Sequence, residues 1–407
     1  MMQIEDAVSA LVDQINPLTS CEVCSLINAA GRILGEDITA GISVPSFPKS
    51  AMDGYAVRSS DIARASAEKP VKLQVLDCLY AGDKVPEALI QMRSLEGCAV
   101  RIMTGAAVPE GFDTVVKQED TDLGEDTVSI CKPQKPFMNY CKVGEDIAEG
   151  TLVLKRGMFI GRSEIGVLAS LGVPEVRVVR KLRIAIISTG SELVDVGWKL
   201  DEAQIYNSIE YTLAAALNKP AFEAVFMSVP DDEDEIRNTL KKAEETSDII
   251  ITTGGVSVGE RDLLPKVLEK LGAQVVFSGV NVKPGSPTVG AVLNGKVLLC
   301  LSGNPYAAVA NFDLYMGHII AAKTGCLAFV PVREKAVLES EFNKPANVRR
   351  LVRARVSSGR VTILNKNQMS SVLSSFIGAN CYIDFPQDFT VSKGDEVDII
   401  RIPEALQ

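Results

Sequence analysis

Between residues 181 and 326, short apolar runs alternate with segments of helical period, and this restricts the fold more than any other feature of the chain. Runs of strand length lie at 183–188, 224–229, 248–253, 275–277 and 297–301. Between them, 209–217 and 263–271 carry apolar residues at helical spacing, and 233–245 reads as a charged amphipathic helix. A further helix starts near Pro305, where proline suits a first turn. This alternation predicts a parallel, doubly wound α/β sheet with helices on both faces, since parallel strands need crossovers long enough to hold a helix. Such sheets gather ligands at the carboxyl ends of their strands.

With 407 residues the chain has room for several cores. Ala7, Leu11 and Ile15 recur every four residues, and Leu26, Ile27, Ala30 and Leu34 continue an apolar pattern beyond Pro17, so residues 1 to about 40 are predicted helical. The string Val44-Pro45-Ser46-Phe47-Pro48-Lys49 then stops any helix. Strand-like runs at 71–76, 99–103, 114–117 and 127–130, parted by turns rich in Gly, Asp and Pro, predict a mostly β segment over 50–140. From about Val330, runs at 336–342, 350–356, 361–364, 381–385 and 396–402 fit a small barrel or sandwich.

Several classes of function drop out. A net charge of −10 argues against nucleic acid, and requires that an anionic ligand be held by local cations and backbone N–H groups. No apolar run approaches the ~20 residues of a membrane helix. Residues 1–6 lack a basic and apolar leader, so the expected address is cytoplasmic. The nine cysteines are scattered, and Cys21 and Cys24 form a lone CxxC in a helix-like stretch, without the second pair of a zinc ribbon. They read as reduced, partly buried thiols. His318 is the only histidine and falls among Met316, Ile319 and Ile320, where it reads as structural. Zinc sites with two or three histidines are thereby excluded, and any metal must take oxygen ligands, which favours a hard cation such as Mg²⁺.

Four loops follow predicted strands in the α/β region. They are Ser188-Thr189-Gly190-Ser191-Glu192, the stretch from Thr253-Gly254-Gly255 through Ser257 to Asp262, Lys283-Pro284-Gly285-Ser286-Pro287, and Ser302-Gly303-Asn304-Pro305. Their glycines let backbone N–H groups approach a phosphate, and helix N-termini add partial positive charge. Lys283 brings a full charge, while Glu192 and Asp262 are oxygen donors suited to Mg²⁺. Each loop also has a plain reading as a tight turn or a helix start. No Walker A string and no dinucleotide fingerprint occurs. In Ser50-Ala51-Met52-Asp53-Gly54-Tyr55-Ala56-Val57, Asp53 reads either as a turn former with Gly54 or as a buried carboxylate with a task.

These strings, taken together, resemble the molybdopterin molybdenumtransferase family, the MoeA and gephyrin E-domain group. The resemblance is carried by Pro45-x-Phe47-x-x-Ser50 through Val57, by Arg101-Ile102-Met103-Thr104-Gly105 with Asp113 to Val116 and Glu119, and by Gly144-Glu145-Asp146. The four α/β loops follow in family order, and Gln368, Ser370, Leu373, Ser374, Ser375, Ala379 and Asn380 resemble the C-terminal block. The resemblance implies four domains: an elongated linker and dimerisation domain from 1–45 and 141–179, an inserted β domain at 46–140, an α/β molybdopterin-binding domain at 180–327 and a C-terminal β domain at 328–407. It implies a homodimer with a shared active site that takes adenylylated molybdopterin and molybdate, cleaves the anhydride with Mg²⁺ and releases AMP and molybdenum cofactor. An upstream adenylyltransferase and downstream molybdoenzymes are its implied partners.

Carried over by position, Asp53, Thr104, Asp146 and Lys283 are the implied catalytic residues, and Asp53, Glu192 and Asp262 the implied metal ligands. Thr189, Gly190, Gly254, Gly255, Ser257, Gly285, Gly303, Asn304, Arg350 and Ser370 are the implied substrate contacts. Five positions depart from the family pattern, one being Ile209, where a polar residue is common. Ser191 stands for the usual Asp, Gly279 and Ser286 for lysines, and Ser302 for proline. Two further readings follow: a catalytically weakened paralogue that scaffolds, stores or delivers the cofactor, and a phosphate-binding sugar or nucleotide enzyme on a doubly wound sheet.

Overall fold

In the computed structural model, which describes residues 1–256, 263–342, 347–364 and 367–406, the apolar runs of the α/β region form one six-stranded sheet. Its order is Phe222–Val229, Leu182–Thr189, Ile249–Thr253, Lys296–Leu301, Val289–Leu293, Gln274–Ser278. The first four strands are parallel. Side chains alternate between faces, which is how an unbroken apolar run serves two cores. Ile184, Ile186, Ile249, Ile251, Val297 and Leu299 point into one core, packed with the helices Ile4–Val12, Ser208–Leu217 and Pro305–Thr324. Ala185, Ile187, Ile250, Leu298 and Cys300 point into the other, against Glu233–Thr246 and Leu264–Lys270.

The sheet differs from the expectation in one strand. Val289–Leu293 runs antiparallel to both its neighbours. It returns through Asn294-Gly295, a two-residue hairpin turn with both residues at positive φ (49° and 79°). Asn-Gly favours that geometry, so the reversal had a sequence signal.

The N-terminal reading also needs correction. The α-helix is confined to Ile4–Val12, Cys21–Ser25 is a strand paired antiparallel with Glu175–Val179, and Leu26–Ala29 is a single 3-10 turn. Long-range pairing overrides the local helical spacing there. Cys21 and Cys24, three apart on a strand, project from opposite faces and cannot act as one CxxC pair.

After the long helix Pro305–Thr324, which ends on left-handed Gly325, the chain builds a closed barrel. Its strands are Val332–Leu338, Arg349–Ser357, Arg360–Thr362, Cys381–Phe385 and Glu396–Arg401; Glu396–Arg401 lies between Val332–Leu338 and Cys381–Phe385, and Cys381–Phe385 closes the ring onto Arg349–Ser357. Val282–Lys283 adds to the barrel in parallel beside Arg349 and Arg350. The Lys283 loop is thus hydrogen-bonded to a strand that begins more than sixty residues later in the chain, and no local pattern announces it.

The chain falls into two compact units, Met1–Glu36 with Lys155–Ile165 and Pro174–Gln407, and Asp37–Leu154 with Gly166–Val173. The second holds a five-stranded sheet ordered Thr114–Lys117, Gly54–Val57, Cys98–Ile102, Val71–Leu79, Thr127–Ile130. Asp53-Gly54 is therefore no hairpin turn but the entry to a central strand. A Cβ on Gly54 would lie 1.9 Å from the Val116 carbonyl oxygen, so only glycine fits there. Among the described residues no helix is long and apolar enough to cross a membrane.

Candidate active site

Three parallel strands of the large sheet end side by side, and their loops pack backbone against backbone. Thr189 is buried and donates from its hydroxyl to Thr253 O (3.3 Å). Gly254 sits at φ +94°, and a Cβ there would meet Thr189 O at 2.5 Å. Its N–H donates to Leu301 O (3.0 Å), and a Cβ on Gly303 would be 3.5 Å from its Cα. Gly190 N–H donates to Val229 O (3.2 Å). Gly255, also at positive φ, lies 3.2 Å by the same measure from the Thr189 hydroxyl. Thr189, Gly254, Gly255 and Gly303 are thus brought together. Ser257 and Asp262 lie outside the described residues.

Beside this edge is a cavity of about 630 Å³ lined by Lys283, Gly285, Asn304, Arg350 and Ser370, five of the residues singled out from sequence. Ser286 and Ser302, two of the departures, line it as well. Lys283 is exposed, and Arg350 is half-buried with its guanidinium 5.8 Å from the centre of the Phe342 ring. Gly285 is held against the long helix: Asn311 Nδ2 donates to its carbonyl (2.9 Å), and a Cβ would fall 2.1 Å from that nitrogen. Asn304 is the N-cap residue of the helix, yet its side chain makes no capping bond. The cap comes from Ser302, whose Oγ accepts from Asn304 N–H (3.2 Å), and from Ser370, whose carbonyl accepts from Tyr306 N–H (2.9 Å). Two cations, hydroxyls and the positive end of a 20-residue helix make the cavity suited to an oxyanion or phosphate.

Gly279 does not line this cavity, and its φ of +82° is one that side-chain-bearing residues rarely adopt. The missing lysine at 279 therefore comes with a backbone adapted to glycine.

Glu192 lies elsewhere, exposed in a second cavity of about 660 Å³ with Ser191, Glu202, Gln204 and Asp231. Ser191 and Asp231 exchange bonds: Ser191 N–H donates to Asp231 Oδ2 (3.2 Å) and Asp231 N–H donates to Ser191 Oγ (3.1 Å). A carboxylate is thus present at this loop although position 191 carries none.

In the smaller unit, Asp53 Oδ1 accepts from both the N–H and the hydroxyl of Thr104, each at 2.7 Å. These two bonds hold the Asp53 carboxyl below the ordinary carboxylate range. Asp146 is exposed, anchored by its N–H donating to Val44 O (3.0 Å). His318 is half-buried on the long helix, and burial lowers its pKa and favours the neutral ring.

Two residues escaped the sequence reading. Glu210 Oε2 accepts from Asn207 Nδ2 (2.9 Å) and from the hydroxyls of Ser188 and Ser228 (3.3 Å each). Burial raises its pKa. The Asn207-x-x-Glu210 spacing of a capping pair was its available signal. Arg353, 1% exposed in a barrel strand, had none.

The chain matches three families in succession. Residues 2–172 match the MoeA N-terminal region (domain I and II), 185–321 a probable molybdopterin binding domain, and 335–402 the MoeA C-terminal region (domain IV). It is 37% identical over 402 residues to a molybdopterin molybdenumtransferase of Staphylococcus aureus, covering 98% of this chain and 94% of that one. It is 36% identical over 404 residues to one of Staphylococcus epidermidis, covering 98% and 95%. Among solved structures, two of a molybdopterin biosynthesis MoeA protein from Pyrococcus horikoshii superpose with TM-scores of 0.80 and 0.84 at 29% and 28% identity. They cover 99% of this chain and 99% of theirs, and 98% and 100%, respectively.

Proposed function

The chain belongs to the molybdopterin molybdenumtransferase family, and we propose that it inserts molybdate into adenylylated molybdopterin with release of AMP. The observation that carries this reading is the cavity in which Lys283, Arg350, Ser370 and the start of the long helix converge beside the glycine-rich strand ends. Molybdate is a dianion, and here it meets two cations, hydroxyl donors and a helix dipole, in a protein whose net charge of −10 would otherwise repel it. The strand-end loops, with backbone close to backbone, suit the pterin phosphate.

Mg²⁺ belongs to the same reading. It commonly keeps several waters and takes one or two carboxylates together with substrate phosphates. Glu192, in an oxygen-rich cavity with Glu202 and Asp231, fits that donor set, although no three ligating side chains converge among the described residues. Bound, the ion would offset the charge of the anhydride. Asp53 and Thr104, in our reading, act across a homodimer on the partner's strand-end loops.

A second reading is favoured by Gly279 and Ser286. With both lysines gone, Lys283 and Arg350 are the cations among the described residues lining the cavity. A protein that binds the pterin without inserting metal would share this architecture. One experiment separates the two: incubation of the pure protein with adenylylated molybdopterin, Mg²⁺ and molybdate, with AMP measured. Molybdate-dependent AMP release supports the transferase, and pterin binding without AMP release sinks it in favour of the carrier.

A further inference from the structure

Glu192 is exposed, and among the described residues none donates to its carboxylate. Its place is therefore set by the backbone of 188–194. One side chain holds that backbone at both ends. At the first end the buried Ser188 donates from Oγ to Glu210 Oε2 (3.3 Å). At the other, Val194 O accepts from the N–H of Asn207 (3.1 Å), and Asn207 Nδ2 donates to the same Oε2 (2.9 Å). Ser228 Oγ donates to it as well (3.3 Å), one residue before Val229, whose carbonyl accepts from Gly190 N–H (3.2 Å). Between the two ends, Leu193–Val194 pairs in parallel with Ile205–Tyr206, and Ile205 N–H donates to Glu192 O (2.9 Å). The Glu192 carboxylate folds back over this loop, so that a Cβ on Gly190 would lie 2.8 Å from its Oε2.

We propose that Glu210 is a positioning residue for Glu192: one carboxylate oxygen gathers Ser188, Ser228 and Asn207, closes the 188–194 loop at both ends and so aims Glu192 at a divalent cation. The inference rests on reading Glu192 as a Mg²⁺ ligand. A ligand of Mg²⁺ must meet near-octahedral geometry, which a carboxylate on an untethered loop meets poorly. Residues that orient a metal ligand govern affinity almost as the ligand does. Asn207 answers Glu210 reciprocally, its Oδ1 accepting from Glu210 N–H (3.3 Å), so the clasp and the start of the helix Ser208–Leu217 coincide. Thr189 and Gly190 have anchors of their own on Thr253 and Val229, so the phosphate side of the loop does not depend on Glu210 alone. Among the described residues Glu210 Oε1 accepts no hydrogen bond. Glutamine can therefore keep its oxygen on the three donors and turn its NH2 outward. The site needs the position of Glu210 rather than its charge.

The test uses the full chain carrying Glu210→Ala, Glu210→Gln and, separately, Ser188→Ala, which frees one end of the loop. Three quantities are read: Mg²⁺ half-saturation in AMP release, the tightening of adenylylated molybdopterin binding by Mg²⁺ in calorimetry without molybdate, and hydrogen exchange across 188–194 without metal. Glu210→Ala should raise the Mg²⁺ half-saturation about tenfold and speed exchange across the loop. Molybdate half-saturation, and pterin binding without Mg²⁺, should hold. Glu210→Gln should stay near the wild type in all three. Equal weakening by Gln and Ala would assign the effect to charge and overturn the positioning role, as would an Ala variant with unaltered Mg²⁺ dependence. Should Glu210→Ala fail to fold, Ser188→Ala decides the matter: weaker Mg²⁺ with raised exchange supports the clasp, and unchanged exchange overturns it. Absence of AMP release from the wild type would refute the transferase reading while Mg²⁺-dependent pterin binding still tests Glu210. Wild-type pterin binding that Mg²⁺ does not tighten would overturn the positioning role together with its premise.

Discussion

Asp53 Oδ1 lies 2.7 Å from both the backbone nitrogen and the hydroxyl of Thr104. Both donors stabilise the charged form, so the group stays a carboxylate below the usual pKa of an aspartate. Asp53→Asn keeps the shape and removes the charge. We expect it to fold and bind pterin as the wild type does, and to lose AMP release. Wild-type turnover in that variant would remove Asp53 from the mechanism.

Gly54, next in the chain, should behave differently. With Val116 O 1.9 Å from the place of a Cβ, Gly54→Ala forces two strands of the five-stranded sheet apart. The expected cost is about 3 kcal/mol, the upper range for overpacking, read as a lower urea midpoint. A midpoint equal to the wild type would mean that the strand shifts freely. Neighbouring residues of one motif thus separate into a chemical and a steric requirement.

If Asp53 serves the partner's strand-end loops, Asp53→Asn and Glu192→Gln proteins should each be inactive and should regain activity when mixed. Hybrid dimers would contain one intact shared site. Subunit exchange demonstrated by mass, with no recovery of AMP release, would count against a shared site.

Ser286 lines the oxyanion cavity, whereas Gly279 sits at a φ that resists a side chain. Ser286→Lys alone should therefore restore charge, lowering the molybdate concentration for half-saturation about tenfold without altering Mg²⁺ dependence. A wild type that already saturates at the concentration used by a lysine-complete relative would show that other residues supply the charge.

Glu5, on the first helix, accepts from Arg349 (2.8 Å to each oxygen) and from Arg333 (2.6 Å), and both arginines also reach Asp384. The hydrogen bonds from Arg349 bring the Glu5 pKa down to about 2. Because the folded value is depressed, the stabilisation is present above the ordinary value of 4.5 and is lost as pH falls toward 2. Glu5 is half-exposed, so solvent screening limits its worth to about 1 kcal/mol. Glu5→Gln should lower stability at pH 7 and converge with the wild type near the acid limit. A difference independent of pH would point to lost packing.

Much of this protein was legible in its sequence because the signals were local. The β-branched and leucine-rich runs at 248–253 and 297–301 announce the strands Ile249–Thr253 and Lys296–Leu301, and Pro305 at its first position announces the long helix. Side-chain alternation and proline geometry act within a few residues, so composition along the chain suffices to reveal them. The glycines at 190, 254, 285 and 303 were visible for the same reason, as was Lys283, whereas Arg350 came only from the family resemblance. What the linear order could not show is which of them meet. Thr189, Gly254 and Gly303 pack at the strand ends, Lys283, Asn304, Arg350 and Ser370 share a cavity, and Glu192 lies in another. The same limit hid Arg353, one arginine among several in a barrel strand until the fold placed Tyr306 beneath it and residues 367–372 around it. Sequence determines which groups can bind anion or metal, because charge and backbone freedom belong to each residue. Tertiary structure alone decides their company, because hydrogen bonds and electrostatic attraction act over ångströms of space rather than positions along the chain.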